Sequence, residues 1–159
     1  MITSSHSERG RKERKKAMEE TRTREKVALI VEDDPAIRQM LKDILDVDGI
    51  DSLAYATAEQ ALADLDGSSQ HSPVAADVLL VDVMLKGSKM DGIEFISTLK
   101  ERGNGQLPAP VIVITASGSS LIEQKTRAIQ VDGFLRKPFS LADLRDTIRR
   151  CLTITGNRK

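Results

Sequence analysis

The chain alternates short apolar runs with longer stretches of helical periodicity. Val27-Ala28-Leu29-Ile30-Val31 leads into Glu32-Asp33-Asp34, Val78-Leu79-Leu80-Val81 into Asp82, and Val111-Ile112-Val113-Ile114 into Thr115. A shorter run, Phe134-Leu135, is followed by Arg136 and then Lys137-Pro138. β-Branched runs of this length, without polar alternation, suit strands covered on both faces, as in a parallel sheet. Between the runs, Ile37, Met40, Leu41, Ile44 and Leu45 recur at helical spacing. Asp34 caps that helix, Pro35 takes its first position, and Gly49 ends it. A weak strand over residues 50–54 follows. Thr57 then opens a short helix carrying Ala58, Ala61, Leu62 and Leu65 on one face.

Residues 67–73 read as a polar loop. The run ending at Asp82 is followed by a loop with Gly87 and Gly92, and Ile93, Phe95, Ile96 and Leu99 mark a third helix. Ser120 with Glu123 predicts a capping box for a fourth helix, ended by Gly133. Ser140 with Asp143 caps a last helix, whose apolar face is Leu141, Leu144, Ile148 and Leu152. Five strands alternating with five helices, joined by short right-handed crossovers, predict an α/β fold, a doubly wound three-layer sandwich.

Residues 1–25 break the pattern. From Arg9 to Lys26 the chain is crowded with Arg, Lys and Glu, and only Ala17 and Met18 interrupt it with apolar atoms. Such a segment has no face to bury, so it is expected as a disordered or solvated helical arm. A basic arm that contacts nucleic acid is the functional alternative. Interspersed Glu and the lack of aromatic residues for stacking favour a plain solvated extension. The expected organisation is therefore an arm over 1–25, one domain over 26–152 and a short tail over 153–159.

Composition narrows the function classes. Aromatic residues make up 3% of the chain, so the core must be aliphatic. A formal net charge of +0 argues against general attraction to nucleic acid or membrane. The one cysteine, Cys151, rules out an intramolecular disulfide. No apolar stretch reaches the roughly 20 residues needed to span a bilayer, and the charged N-terminus lacks the apolar segment of a signal peptide. A cytoplasmic protein is expected.

In an open parallel sheet, function gathers beyond the carboxyl ends of the strands. Those ends here carry Glu32, Asp33, Asp82, Thr115 and Lys137. Three clustered carboxylates are electrostatically costly without a cation. All-oxygen ligation suits a hard divalent ion, Mg2+ above all. Asp34 reads as a helix cap and not a ligand. Lys137 offers a point charge and Thr115 a short donor, which suits a phosphoryl group or an aspartyl phosphate.

With these residues in hand, the chain resembles the receiver domains of response regulators in two-component signalling, the CheY-like family. Val31-Glu32-Asp33-Asp34-Pro35, Leu80-Val81-Asp82-Val83-Met84-Leu85, Ile114-Thr115-Ala116 and Lys137-Pro138-Phe139 stand in that family's order and spacing, and the likeness covers about residues 26–152. It implies a flavodoxin-like (βα)5 fold with a five-stranded sheet of order 2-1-3-4-5. It implies that Asp82 is the phosphoacceptor for a sensor histidine kinase, a histidine phosphotransferase or a small donor such as acetyl phosphate. Asp33, Glu32, Asp82 and the backbone carbonyl of Met84 would hold Mg2+, for which Mn2+ can substitute. Thr115 and Lys137 would hold phosphoryl oxygens, before a cis Pro138. Phe134 would be the aromatic switch, reporting to the face of the fourth helix, fifth strand and fifth helix, through which receivers can also form homodimers.

Such a protein is a signalling phosphoacceptor and not an enzyme, beyond its own phosphorylation and slow autodephosphorylation. With no output domain evident, it is expected to act in trans on a downstream protein.

The sequence also departs from the family. Glu replaces the commoner Asp at position 32, Lys86 stands where Pro is frequent, and the loop from Leu85 to Asp91 is longer than usual. Met84 and Ser117 carry no group suited to orienting an attacking water, which implies a long-lived phosphoryl group. A Mg2+-dependent aspartyl-phosphate phosphatase of the haloacid dehalogenase type is the enzyme alternative. It needs a second Asp two residues after the nucleophile, where this chain has Met84. His6 and His71 lie in polar, loop-like contexts and not on the amphipathic helix a phosphotransfer histidine needs.

Overall fold

The computed structural model describes residues 9–13, 24–70 and 72–156. His6, His71 and most of the expected arm lie outside the described residues; of the arm, residues 9–13 are helical. The rest is five β/α units in chain order. These are β1 (Val27–Val31), α1 (Pro35–Val47), β2 (Asp51–Tyr55), α2 (Ala58–Leu65), β3 (Val78–Asp82), α3 (Gly92–Arg102), β4 (Val111–Thr115), α4 (Ser120–Ala128), β5 (Gly133–Arg136) and α5 (Leu141–Gly156). All strand pairs are parallel and the sheet order is β2-β1-β3-β4-β5, as expected.

Alternation along the central strands splits the core in two. Leu29, Val31, Leu79, Val81, Val111 and Val113 face one side and pack with Ala61 and Leu62 of α2 and with Phe95, Ile96 and Leu99 of α3. Ala28, Ile30, Val78, Leu80, Ile112 and Ile114 face the other, against Leu41 and Leu45 of α1 and Leu144, Ile148 and Cys151 of α5. This is the predicted three-layer sandwich. Both layers are aliphatic apart from Phe95 and a few partly buried rings.

Local chemistry places the ends of the elements. Asp34 Oδ1 accepts the backbone N–H groups of Ala36 at 2.8 Å and Ile37 at 3.0 Å, with Pro35 next in the chain. Gly49, at φ +72, takes the left-handed turn that closes α1. The Ser140 hydroxyl accepts from the N–H of Asp143 at 3.0 Å, as the sequence predicts.

Four expectations need correction. The second strand is Asp51–Tyr55, one residue later than predicted, because the N–H of Ile50 is spent on Leu45 O at the end of α1. The N-cap of α4 is Ser119, without a side-chain cap bond, so Glu123 falls one position too late for a capping box. It pairs instead with Arg136 at the end of β5. Helix α4 stops at Ala128, and Gly133 belongs to β5. Gly92 is the first residue of α3 and not part of the loop, because Asp91 and Glu94 form a capping box just ahead of it.

Candidate functional site

The carboxyl ends of β1 and β3 are neighbours, so the turn after β1 meets the last residue of β3. Carboxylate oxygens of Glu32, Asp33 and Asp82 all lie within 4.8 Å of one another. Glu32 is 1% exposed and Asp82 is 4% exposed. Lys137, just past β5, reaches over β4 into this cluster. Its Nζ donates to Asp82 Oδ2 at 2.8 Å and to Glu32 Oε2 at 2.9 Å. The Lys137–Pro138 peptide bond is cis.

The backbone around the acids is also held. Glu32 N–H bonds to Tyr55 O at 3.0 Å, and Asp34 N–H returns to Glu32 Oε1 at 3.1 Å. Arg38, one turn into α1, donates to the carbonyls of Glu32 at 2.7 Å and Asp33 at 3.2 Å. Met84 N–H donates to Asp82 Oδ1 at 3.0 Å, and Lys86 N–H to Asp33 Oδ2 at 3.0 Å. Sequence reasoning missed Arg38 and the Lys86 amide. Arg38 finds its partners in main-chain carbonyls and Lys86 donates through its own main-chain N–H, so no side-chain pattern announces either.

Thr115 ends β4, the strand beside β3, and is fully buried. Its Oγ1 accepts the N–H of Ser117 at 3.0 Å, which leaves the hydroxyl hydrogen for an incoming acceptor. Phe134, on β5, pairs in register with Val113 of β4, packs partly buried against the α2–α3 side of the core, and lines a cleft of about 420 Å³ beside α4. The Met84 side chain is exposed.

One ammonium faces three carboxylates, and the balance shows in the titration of Glu32. Burial first, then the charge of Asp82, push its carboxyl up to about 7 against the pull of Lys137. Lys137 is raised above its ordinary value by its bonds to Asp82 and Glu32, although burial opposes this. The lysine alone therefore does not neutralise the cluster. An all-oxygen donor set with excess negative charge fits a hard divalent cation.

Over residues 28–149 the sequence matches the family model described as the response regulator receiver domain. The chain belongs to the response-regulator receiver family. It is similar to the transcriptional regulatory protein CpxR of Klebsiella pneumoniae subsp. pneumoniae, at 36% identity over 124 residues, covering 78% of this chain and 48% of that protein. It is also similar to the heme response regulator HssR of Staphylococcus aureus (strain Newman), at 30% identity, covering 78% of this chain and 50% of that protein. The chain thus spans about half the length of these curated relatives.

Among solved structures, the chemotaxis protein CheY4 of Vibrio cholerae superposes with a TM-score of 0.68 at 27% identity, covering 80% of this chain and 98% of that one. A CheY-like receiver domain protein from Methanospirillum hungatei gives 0.72 at 25% identity, covering 85% and 99%. The protein is a receiver domain of a two-component response regulator, a class of domain phosphorylated by histidine kinases. No helix among the described residues is long and apolar enough to cross a membrane.

Proposed function

We propose that this receiver accepts a phosphoryl group on Asp82 and passes the signal on through a change in partner binding. The observation that carries the reading is the single constellation of Asp82, the acids Glu32 and Asp33, and Lys137 at one sheet edge. An Asp82 carboxylate oxygen attacks the phosphorus of a phosphohistidine on a kinase or phosphotransferase. The new O–P bond forms as the P–N bond breaks, and the electron pair stays on the departing imidazole nitrogen, which takes a proton from water. Glu32, Asp33, Asp82 and the Met84 carbonyl would hold Mg2+, or Mn2+ in its place. When bound, the metal supplies positive charge to the phosphoryl oxygens.

The remaining work is done by the chain. Lys137 already touches Asp82 and can transfer its bond to a phosphoryl oxygen without travelling. Thr115 donates its hydroxyl hydrogen to another. In doing so it moves toward Asp82 and vacates space beside Phe134, whose ring then turns inward. A phosphoryl group adds charge and strong acceptors at one point, and this repacking biases the α4–β5–α5 face between two populations. The chain is in this reading a phosphoacceptor that works in the cytoplasm, with no other substrate to turn over. Names such as transcriptional regulatory protein, carried by relatives of which the match covers about half, suggest that the switched partner or attached segment governs expression.

The test is incubation with Mg2+ and acetyl phosphate, followed by intact mass, beside Asp82→Asn. A labile phosphoryl adduct on the parent alone is expected. No adduct from acetyl phosphate or from phosphorylated histidine kinases would sink the reading.

A further inference from the structure

The loop between Asp82 and α3 is tied down at two carboxylates. One is Asp33, whose Oδ2 accepts the Lys86 N–H at 3.0 Å. The other is Glu59, on the first turn of α2 and outside the acidic cluster. Glu59 Oε1 accepts the N–H of Lys89 at 2.8 Å and of Met90 at 3.1 Å. The Ser88 hydroxyl lies 3.2 Å from Glu59 Oε1 and 3.0 Å from Oε2, and accepts the Ala58 N–H at 3.1 Å. One carboxylate thus gathers the donors of three consecutive loop residues onto the start of α2.

Between the two anchors the chain has almost no slack. Ser88 N–H closes onto Leu85 O at 3.3 Å, and Gly87 sits at φ +79 inside that turn. Fixing residues 88–90 therefore fixes where the Lys86 amide points. Burial works against the charge on Glu59, yet the bond from its own backbone N–H, followed by those from Ser88, Lys89 and Met90, holds the carboxyl below its ordinary value.

We propose that Glu59 is a positioning residue for divalent-cation binding: it sets the β3–α3 loop, whose Lys86 amide aims the Asp33 carboxylate. Outer partners that orient a ligating carboxylate typically matter 10–100-fold for metal affinity. The inference rests on the metal role read for Asp33 under the proposed function. The structural rival is Leu85, which is buried in the core and could hold Lys86 in place unaided.

Isothermal titration with Mg2+ decides between them, on the parent, Glu59→Ala and Glu59→Gln, with urea unfolding of each. Glu59→Ala should raise the Mg2+ Kd about tenfold. Glu59→Gln, which keeps an acceptor oxygen for the Lys89 and Met90 amides, should lose less. At saturating Mg2+ the alanine variant should take phosphate from acetyl phosphate at the parent's rate, because aim and not chemistry was lost. An unchanged Kd in Glu59→Ala overturns the proposal, and so does a lower maximal rate at unchanged Kd. If the alanine variant does not fold, a Kd for Glu59→Gln above the parent's supports the proposal and an equal one overturns it. A parent that binds Mg2+ but takes no phosphate removes the phosphoacceptor reading and leaves the Glu59 effect on Kd to stand or fall alone. A parent that binds no Mg2+ removes both.

Discussion

Lys137 places its ammonium 2.8 Å from Asp82 across an intervening strand. The same nitrogen is 2.9 Å from Glu32, so one cation holds two carboxylates that are almost wholly buried. Removing one partner of a buried pair leaves an uncompensated charge and costs roughly 3–5 kcal/mol. Lys137→Met should therefore be destabilised by about 3 kcal/mol in chelator-treated protein. Mg2+ should recover much of this, since a bound cation supplies the missing charge and favours the folded state. Urea midpoints with and without Mg2+ check it. A deficit that Mg2+ leaves untouched would separate the lysine from the acidic cluster.

The strands were legible because each is a short aliphatic run that ends at the residue carrying the chemistry: Val31 before Glu32, Val81 before Asp82, Ile114 before Thr115. A parallel order then brings those ends together, and the acids follow. Helix boundaries were less legible where two hydroxyls compete, as Ser119 and Ser120 do; φ/ψ and not residue type chose the earlier one. Arg38 and Glu59 were not legible at all. Each sits on a solvated helix turn, reads as surface charge, and finds its partners in main-chain groups or in a loop about 30 residues away. Asp77, just before β3, was passed over because its partners, the Val27 N–H and the Arg24 guanidinium, lie about 50 residues away in the chain.

Asp77 locks the amino end of the sheet. Its Oδ2 accepts the Val27 N–H at 2.9 Å and the Arg24 guanidinium at 2.9 Å. Burial raises its pKa, but these bonds outweigh burial and hold the carboxyl below its ordinary value. A folded-state pKa below the unfolded one favours the ionised form in the fold. The stabilisation is therefore fully present above about pH 4, the ordinary Asp value, and is lost as pH falls through the lower folded value. Asp77→Asn should be less stable than the parent at neutral pH, and the gap in urea midpoint should close below that window. A gap of constant size from neutral to acid pH would show that the charge contributes nothing.

Cys151 faces the α1–α5 side of the core at 1% exposure. Burial first, and then the charge of Asp132, push its thiol up to about 11 against the opposing pull of Arg150. Only the thiolate reacts with disulfide reagents. The native protein at pH 8 should leave its thiol unlabelled, and urea should release one equivalent. Labelling of the native protein faster than its measured unfolding would show that α5 opens locally.

Gly92 is where α3 begins against the end of β3, and its contact is with backbone. A Cβ there would stand 2.1 Å from the carbonyl oxygen of Asp82 and 2.9 Å from the Val83 Cα. Backbone cannot rotate away as a side chain can, so Gly92→Ala must push α3 off the strand or displace the last residue of β3. Overpacking of this kind costs about 1–3 kcal/mol. Because the displaced residue is Asp82 itself, the rate of phosphorylation by acetyl phosphate should fall along with the urea midpoint. Gly133→Ala offers the comparison. Its Cβ meets Thr147 Cγ2 at 2.7 Å and Ile112 Cγ1 at 3.2 Å, side-chain atoms remote from the acids. That variant should lose stability and keep its rate. Gly118→Ala, with nothing within 4 Å, should lose neither. If Gly92→Ala and Gly133→Ala lost rate equally for equal loss of stability, close packing of α3 on β3 would matter to the fold alone, and the tight glycine contact would have no part in placing Asp82.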